Sequence, residues 1–256
     1  MDFSEFTARL DEELAVDEWR GADYAVNGLQ VGPEDATVDH AAFAVDGVRA
    51  TMEAAAETDA DALVVHHGIS WGGIERVTGK EYERIATLLD NDIALYAAHL
   101  PLDAHPEYGN AARLCAHLDL TVTEPFGREG PGHVGQRGHT ADRDAYTTAE
   151  LREALATLDT GGESVQVLDF GPDRIEDVAV LTGSGTDWLD EAREKGVDAL
   201  VTGEGKQPAY HEAREAGISV FLAGHYATET FGVRALRELV AEWGIETTYL
   251  SHPTGL

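Results

Sequence analysis

Part of this chain repeats within itself, and the repeat restricts the fold to a duplicated arrangement. Ala97-Ala98-His99-Leu100-Pro101-Leu102-Asp103 and Ala223-Gly224-His225-Tyr226-Ala227-Thr228-Glu229 each place a His four residues before a carboxylate, directly after an apolar run (Ile93 to Ala98, Ile218 to Ala223). Upstream, Asp61-Ala62-Leu63-Val64-Val65-His66-His67-Gly68 matches Asp198-Ala199-Leu200-Val201-Thr202-Gly203-Glu204-Gly205, and Ala42 to Gly47 matches Ala179 to Ser184. Each copy reads as a strand, a Gly-containing turn, a helix (Val48 to Glu57, Asp187 to Glu194), a second strand, and later a third strand that ends at the His. Two βαβ-type units then converge on one site. Ala62 to His99 spans 37 residues and Ala199 to His225 spans 26, so the first copy carries 11 more, roughly Ile69 to Gly79. Coming directly after His-His, that excess is placed to be a loop over a pocket.

The remaining segments alternate between helical and strand patterns. Phe3, Phe6, Leu10 and Leu14 lie at helical spacing, as do Tyr82, Ile85, Leu88 and Leu89 ahead of the strand at Ile93. Thr147 and Glu150 form a capping box that opens a helix through Leu151, Leu155 and Leu158. Pro208 and Gly217 bracket another helix, and Leu236, Leu239, Val240 and Trp243 mark the last one before Gly244. Between the repeats, Glu124 to Gly138 is rich in Gly and Pro and leads into a strand, the capped helix and a strand near Val165 to Phe170. The expected fold class is α/β: duplicated α/β units with mixed sheets flanked by helices, and a small α/β insertion in the middle. The expected division is 1–122 for the first repeat unit, 123–174 for the insertion and 175–256 for the second repeat unit.

Composition narrows the choice of partners. No stretch approaches the roughly 18 apolar residues of a membrane helix, and the acidic start, Met1-Asp2-Phe3-Ser4-Glu5, is not a signal peptide. The expectation is a soluble, cytoplasmic protein without a membrane partner. The net charge of −30, with 3 Lys among the 18 basic residues, implies strong self-repulsion in dilute buffer. It reads as adaptation to a salt-rich cytoplasm, of the kind a halophilic archaeon keeps, where screening lengths fall to a few Å. The alternative is an acidic surface for a cationic partner. Free nucleic acid is not expected as a ligand, because no basic patch exists to neutralise phosphates. The single cysteine, Cys115, excludes an internal disulfide and reads as core filling.

The chemistry collects at the repeat ends. A His-His pair is weak evidence taken alone, but His66, His67, His99, Asp103, His225 and Glu229 all fall at C-terminal strand ends, where open α/β sheets place their sites. Imidazole and carboxylate without thiolate suit Zn, Mn, Fe or Ni and disfavour Ca. Five or six such groups exceed the roughly three protein ligands of one catalytic Zn. A centre of two divalent ions, sharing a carboxylate and holding a hydroxide between them, is the better count. Competing motifs fail: Gly73 to Gly79-Lys80 has the wrong spacing for a P-loop, Gly183-Ser184-Gly185 lacks the third Gly of a dinucleotide fingerprint, and His211-Glu212 lacks the second His of a zincin helix.

These residues also carry a family resemblance. Asn27-Gly-Leu-Gln-Val-Gly32, Val64-Val-His66-His67-Gly68, His99-Leu-Pro-Leu-Asp103-Ala-His105 with Gly109-Asn110, Val201-Thr-Gly203-Glu-Gly-Lys206 and Ala223 to Glu229 resemble, in order, the signature blocks of the GTP cyclohydrolase 1 type 2 homologue family, also called the NIF-three-like family. The resemblance covers nearly the whole chain. It implies a dinuclear metal site, a duplicated α/β fold and a toroidal homohexamer. Carried over by motif position, it implies His66, His67, Asp103, His225 and Glu229 as ligands, Glu229 as the bridge, and His99 as a group that supports the ligands or transfers protons instead of a ligand. The sequence departs from many members at Gly68-Ile69-Ser70-Trp71, where a Pro commonly follows the His pair.

The expected activity is that of a metal-dependent hydrolase, with the metal-bridged hydroxide attacking a nucleotide ring or a related small molecule. For the substrate in the family name the target is C8 of guanine. His99 and Glu229 are the candidate catalytic groups, His105 is a further candidate for proton transfer, and Asn27, Gln30, Lys206 and Tyr226 are candidates for binding substrate. For Lys206 a surface ion pair is an equal reading. The alternatives are a metal-binding or regulatory ring protein without catalysis, and a nucleotide phosphoesterase.

Overall fold

The computed structural model describes residues 1–33, 36–140 and 145–256. In chain order its elements are α1 (Phe3–Glu13), β1 (Gly28–Val31), β2 (His40–Asp46), α2 (Arg49–Glu57), β3 (Ala62–His67), α3 (Lys80–Asp90), β4 (Ala94–Ala97), the single turn α4 (Leu100–Asp103), α5 (Asn110–His117), β5 (Leu120–Glu129), β6 (Gly132–Thr140) and α6 (Thr148–Leu155). There follow β7 (Gln166–Leu168), β8 (Asp177–Leu181), α7 (Leu189–Lys195), β9 (Ala199–Thr202), α8 (Ala209–Ala216), β10 (Ser219–Leu222), α9 (His225–Glu242) and β11 (Glu246–Tyr249). The chain divides into two compact units, Met1–Leu102 with Gly232–His252 and Asp103–Phe231 with Pro253–Leu256. Both the α/β class and the two mixed sheets agree with the sequence reading.

The first unit is built on a sheet of order β1-β4-β3-β2-β11, in which β4, β3, β2 and β11 run parallel and β1 is antiparallel at the edge. β2, β3 and β4 are continuous apolar runs because both faces of a parallel sheet are covered. Met52 and Ala55 of α2 and Leu88 of α3 pack on Leu63, Val65 and Leu95. The helix expected around Tyr82 to Leu89 is present, but Tyr82 and Leu89 are 61% and 60% exposed, so the apolar stripe buries only Leu88.

The second unit has a sheet of order β5-β6-β8-β9-β10-β7, with β8, β9 and β10 parallel and the other strands antiparallel. Glu124 to Gly138, expected as a Gly- and Pro-rich lead-in to one strand, instead lies within a hairpin of two long strands, β5 and β6. β6 and β7, from the middle segment, flank the parallel strands of this sheet. Residues 141–144 of that segment lie outside the described residues. Thr147 and Glu150 make the expected capping box on α6, and Gly217 closes α8 in the left-handed conformation. Cys115 is fully buried in this core, and burial pushes its thiol up to about 12, so it is filling and not a nucleophile.

The repeat reappears as bonding. The Asp61 carboxylate accepts the backbone N–H groups of Asp39 (2.8 Å) and His40 (2.9 Å) at the start of β2. The Asp198 carboxylate accepts those of Glu176 (2.8 Å) and Asp177 (3.0 Å) at the start of β8. Each aspartate sits in the turn before the next strand and ties the heads of two parallel strands together, which fixes their relative register.

Candidate metal centre

In the first unit three imidazoles meet where the strands end. His66 is fully buried, and its Nδ1 lies 2.8 Å from the Ala98 carbonyl oxygen. A carbonyl can only accept, so Nδ1 carries the proton and Nε2 is the lone-pair nitrogen. His67 Nδ1 donates to Asp46 Oδ1 at 2.8 Å, and the β2–β3 register sets Asp46 directly beside His67. His99 Nδ1 donates to Asp23 Oδ1 at 3.0 Å. A ring nitrogen from each of the three lies within 4.8 Å of the others. Carboxylate or carbonyl support on one ring nitrogen, with the other left to coordinate, is the arrangement that metal-ligating histidines use.

Asp23 organises the approach to His99. It also accepts the N–H groups of Ala25 (2.9 Å) and Leu100 (3.0 Å). Burial alone would raise its carboxyl, but the hydrogen bond and charge of His99, with Asn27 and Ala25, hold it at about 2. Asn27 donates to Asp23 Oδ2 (2.9 Å) and accepts the His99 backbone N–H (2.7 Å), so its amide braces the turn. Gln30 does the same for the loop after β3: its Oε1 accepts from Ile69 (2.8 Å) and Ser70 (3.2 Å), and its Nε2 donates to the Val26 carbonyl. Both side chains, expected to meet substrate, are thus bonded to the protein.

In the second unit His225 and Glu229 stand one turn apart at the start of α9, with Nε2 and Oε2 3.2 Å apart. Sequence reasoning put this pair at a strand end; it lies on the helix that follows, where i and i+4 share a face. His225 Nδ1 lies 3.1 Å from Glu204 Oε1. Burial would lower the imidazole, yet Glu229 and Glu204 together raise it to about 9. One imidazole between two carboxylates is a donor set that a divalent cation can use. Gly183 leaves room for the Glu229 carboxylate. With φ +63°, it would carry a Cβ 2.3 Å from Glu229 Oε1 and 3.2 Å from His225 Nε2.

Asp103, at the end of α4, is buried and accepts from Asn110 Nδ2 at 2.8 Å. His105 stacks on Tyr108, centroids 4.6 Å apart. Tyr226 is buried at 4% exposure. Lys206 is exposed and paired with Asp187, which is the ion-pair alternative. The donor chemistry of both groups of residues fits a divalent metal. Asp46, Asp23 and Glu204 had not been singled out as site residues. The signal that finds Asp46 and Glu204 is the self-alignment, in which Asp46 ends the first strand of its copy and Glu204 occupies the position of His67.

The profile of the Duf34/NIF3 family (NGG1p interacting factor 3) matches residues 1–254. The chain belongs to this family. A family relative from Halobacterium salinarum, named GTP cyclohydrolase 1 type 2 homolog, is 57% identical over 256 residues and covers all of both chains. One of the same name from Archaeoglobus fulgidus is 41% identical, again over the full length of both. Among solved structures, TTHA1606 from Thermus thermophilus superposes with a TM-score of 0.89 at 38% identity, and HcgD from Methanocaldococcus jannaschii with 0.83 at 25%. The first covers all of both chains and the second 98% of each. No described helix is long and apolar enough to cross a membrane.

Proposed function

We propose that this DUF34/NIF3 protein is a metal-dependent hydrolase that uses two divalent ions, drawn from Zn, Fe, Mn and Ni, held by His66, His67, Asp103, His225 and Glu229. The observation that carries the reading is that His66, His67 and His225, together with His99, each have Nδ1 oriented by an oxygen atom, the support that metal-ligating histidines use. Bound ions would supply Lewis-acid activation of water and of an electrophilic carbon or phosphorus.

The chain's own residues do the rest. Asp46 and Glu204 orient His67 and His225. Asp23, ionised at neutral pH, keeps the proton of His99 on Nδ1, so His99 Nε2 is the basic atom that accepts a proton from the reacting centre and returns it to the leaving group. The names of the relatives make a purine nucleotide such as GTP the first substrate to try, with ring opening at the guanine C8 as the reaction. A toroidal homohexamer is the assembly that goes with this reading.

The test is metal content of protein purified in high salt, for wild type, His67→Ala and Glu229→Ala, followed by a nucleotide panel on the same samples. About two ions per wild-type chain, lost in both variants together with turnover, is the expected result. Two ions with no turnover of any nucleotide would point to a metal-binding or regulatory protein instead, and no bound metal in wild type would overturn the proposal.

A further inference from the structure

Trp71 is not used by the metal chemistry, and its setting is unusual for so large an apolar side chain. It lies in the segment Ile69 to Gly79, which forms neither helix nor strand and is anchored at Trp71 by a bridge to Ala25. The indole is 38% exposed. Its Nε1 donates to the Gly68 carbonyl at 3.1 Å, which fixes the ring plane. That ring stands edge-on to His99, centroids 5.1 Å apart, and 6.0 Å from His67. A rigid aromatic surface is therefore held in water beside the two partly exposed imidazoles of the trio.

The neighbourhood is aromatic and has little positive charge. Tyr24, 72% exposed, packs against Gly72, where a Cβ would come 2.7 Å from its ring. Gly72 also lines a cavity of about 400 Å³ with Trp19, Tyr24, Val26, Asp23 and Asn27. Among the described residues lining that cavity the one basic side chain is Arg20, which is paired with Asp17. The exposed rings of Trp71 and, beside the next residue Gly72, of Tyr24 suit the π-face of a planar ring, which stacks on an aromatic side chain whatever its substituents.

We infer that Trp71 is the specificity residue of this site: it stacks a planar heteroaromatic base and thereby presents the base to His67 and His99, with the ring and not a phosphate as the anchor. The inference rests on the metal-centre reading for where the substrate reacts, and it names the substrate class.

The experiment is a tryptophan-fluorescence titration of metal-loaded protein with guanosine, and separately with inorganic triphosphate, in wild type, Trp71→Phe and Trp71→Ala. Guanosine should quench wild type saturably, and inorganic triphosphate should not displace it. By equilibrium dialysis of guanosine against the same samples, Trp71→Phe should retain binding within about threefold while its fluorescence quench is lost, and Trp71→Ala should bind roughly tenfold more weakly, the loss of one stacked base. Unchanged affinity in Trp71→Ala, displacement by triphosphate, or no guanosine binding by wild type overturns the inference. Metal content is measured on every sample. Full metal without base binding defeats the stacking role alone, and a quench that survives in metal-depleted His67→Ala upholds stacking where the hydrolase reading has failed.

Discussion

Replacing Gly183 by Ala separates a backbone requirement from a site requirement. Gly183 has φ +63°, so an alanine there pays the left-handed strain of about 1–2 kcal/mol. Gly196, at the C-terminus of α7, has φ +68° with nothing within 4 Å of a built Cβ, so Gly196→Ala suffers the strain alone. At roughly 2–4 °C per kcal/mol for a chain of this size, both variants should melt a few degrees below wild type. Only Gly183→Ala then crowds the site. The Glu229 oxygen must retreat from 2.3 Å to at least the 3.4 Å of ordinary contact. That is about 1 Å, against the tolerance of ~0.2 Å expected of a metal–ligand bond. Metal affinity should fall at least tenfold in Gly183→Ala and stay at the wild-type value in Gly196→Ala. The assay is metal titration by calorimetry, with thermal melts of the apo and loaded forms. Wild-type metal affinity in Gly183→Ala would refute the reasoning that Glu229 and His225 form a cation site shaped by this glycine.

Other consequences follow from the same geometry. Asp46→Asn keeps the shape but replaces the charged acceptor of His67, and metal titration should show a loss of about 10- to 100-fold, with the fold retained by circular dichroism. Asp23 titrates in the native state at about 2 instead of 3.8 and its side chain is 2% exposed, so its ionisation stabilises the fold by about 2 kcal/mol. Because the native value is the lower one, that contribution is complete above pH ~4 and is lost as pH falls towards ~2. Urea unfolding should show the gap between wild type and Asp23→Asn narrowing from pH 5 to pH 2.5, and a gap independent of pH would sink the assignment. With a net charge of −30, the melting temperature should climb as KCl rises from 0.15 to 1 M and the screening length falls from about 8 to 3 Å. A flat salt response would remove the halophilic reading. Lys206→Ala should cost less than ~1 kcal/mol in thermal melts and leave metal binding intact, as expected for an exposed ion pair.

Much of this was legible in the chain because it is local. Apolar runs of four to six residues became β3, β4, β9 and β10, and the capping box at Thr147 and the Pro208–Gly217 bracket became helix ends. His66, His67 and His99 were read as site residues from position alone, and the structure brings a nitrogen from each within 4.8 Å. How Asn27, Gln30 and Lys206 are held was not legible in this way. A polar side chain near a site looks the same in sequence whether it faces a ligand or bonds to backbone, and here the first two brace turns and the third pairs with Asp187.

The sequence by itself determined the duplication, the α/β class and the set of imidazoles and carboxylates, since periodicity and self-similarity are properties of neighbouring residues. Tertiary structure alone decided how those groups are held. Asp46 meets His67 across 21 positions because two parallel strands pair in one register, and Asp23 meets His99 across 76. Gly183 makes room for Glu229 from 46 residues away. Such contacts depend on strand pairing and helix placement, which follow from packing the whole unit, and no local pattern encodes them.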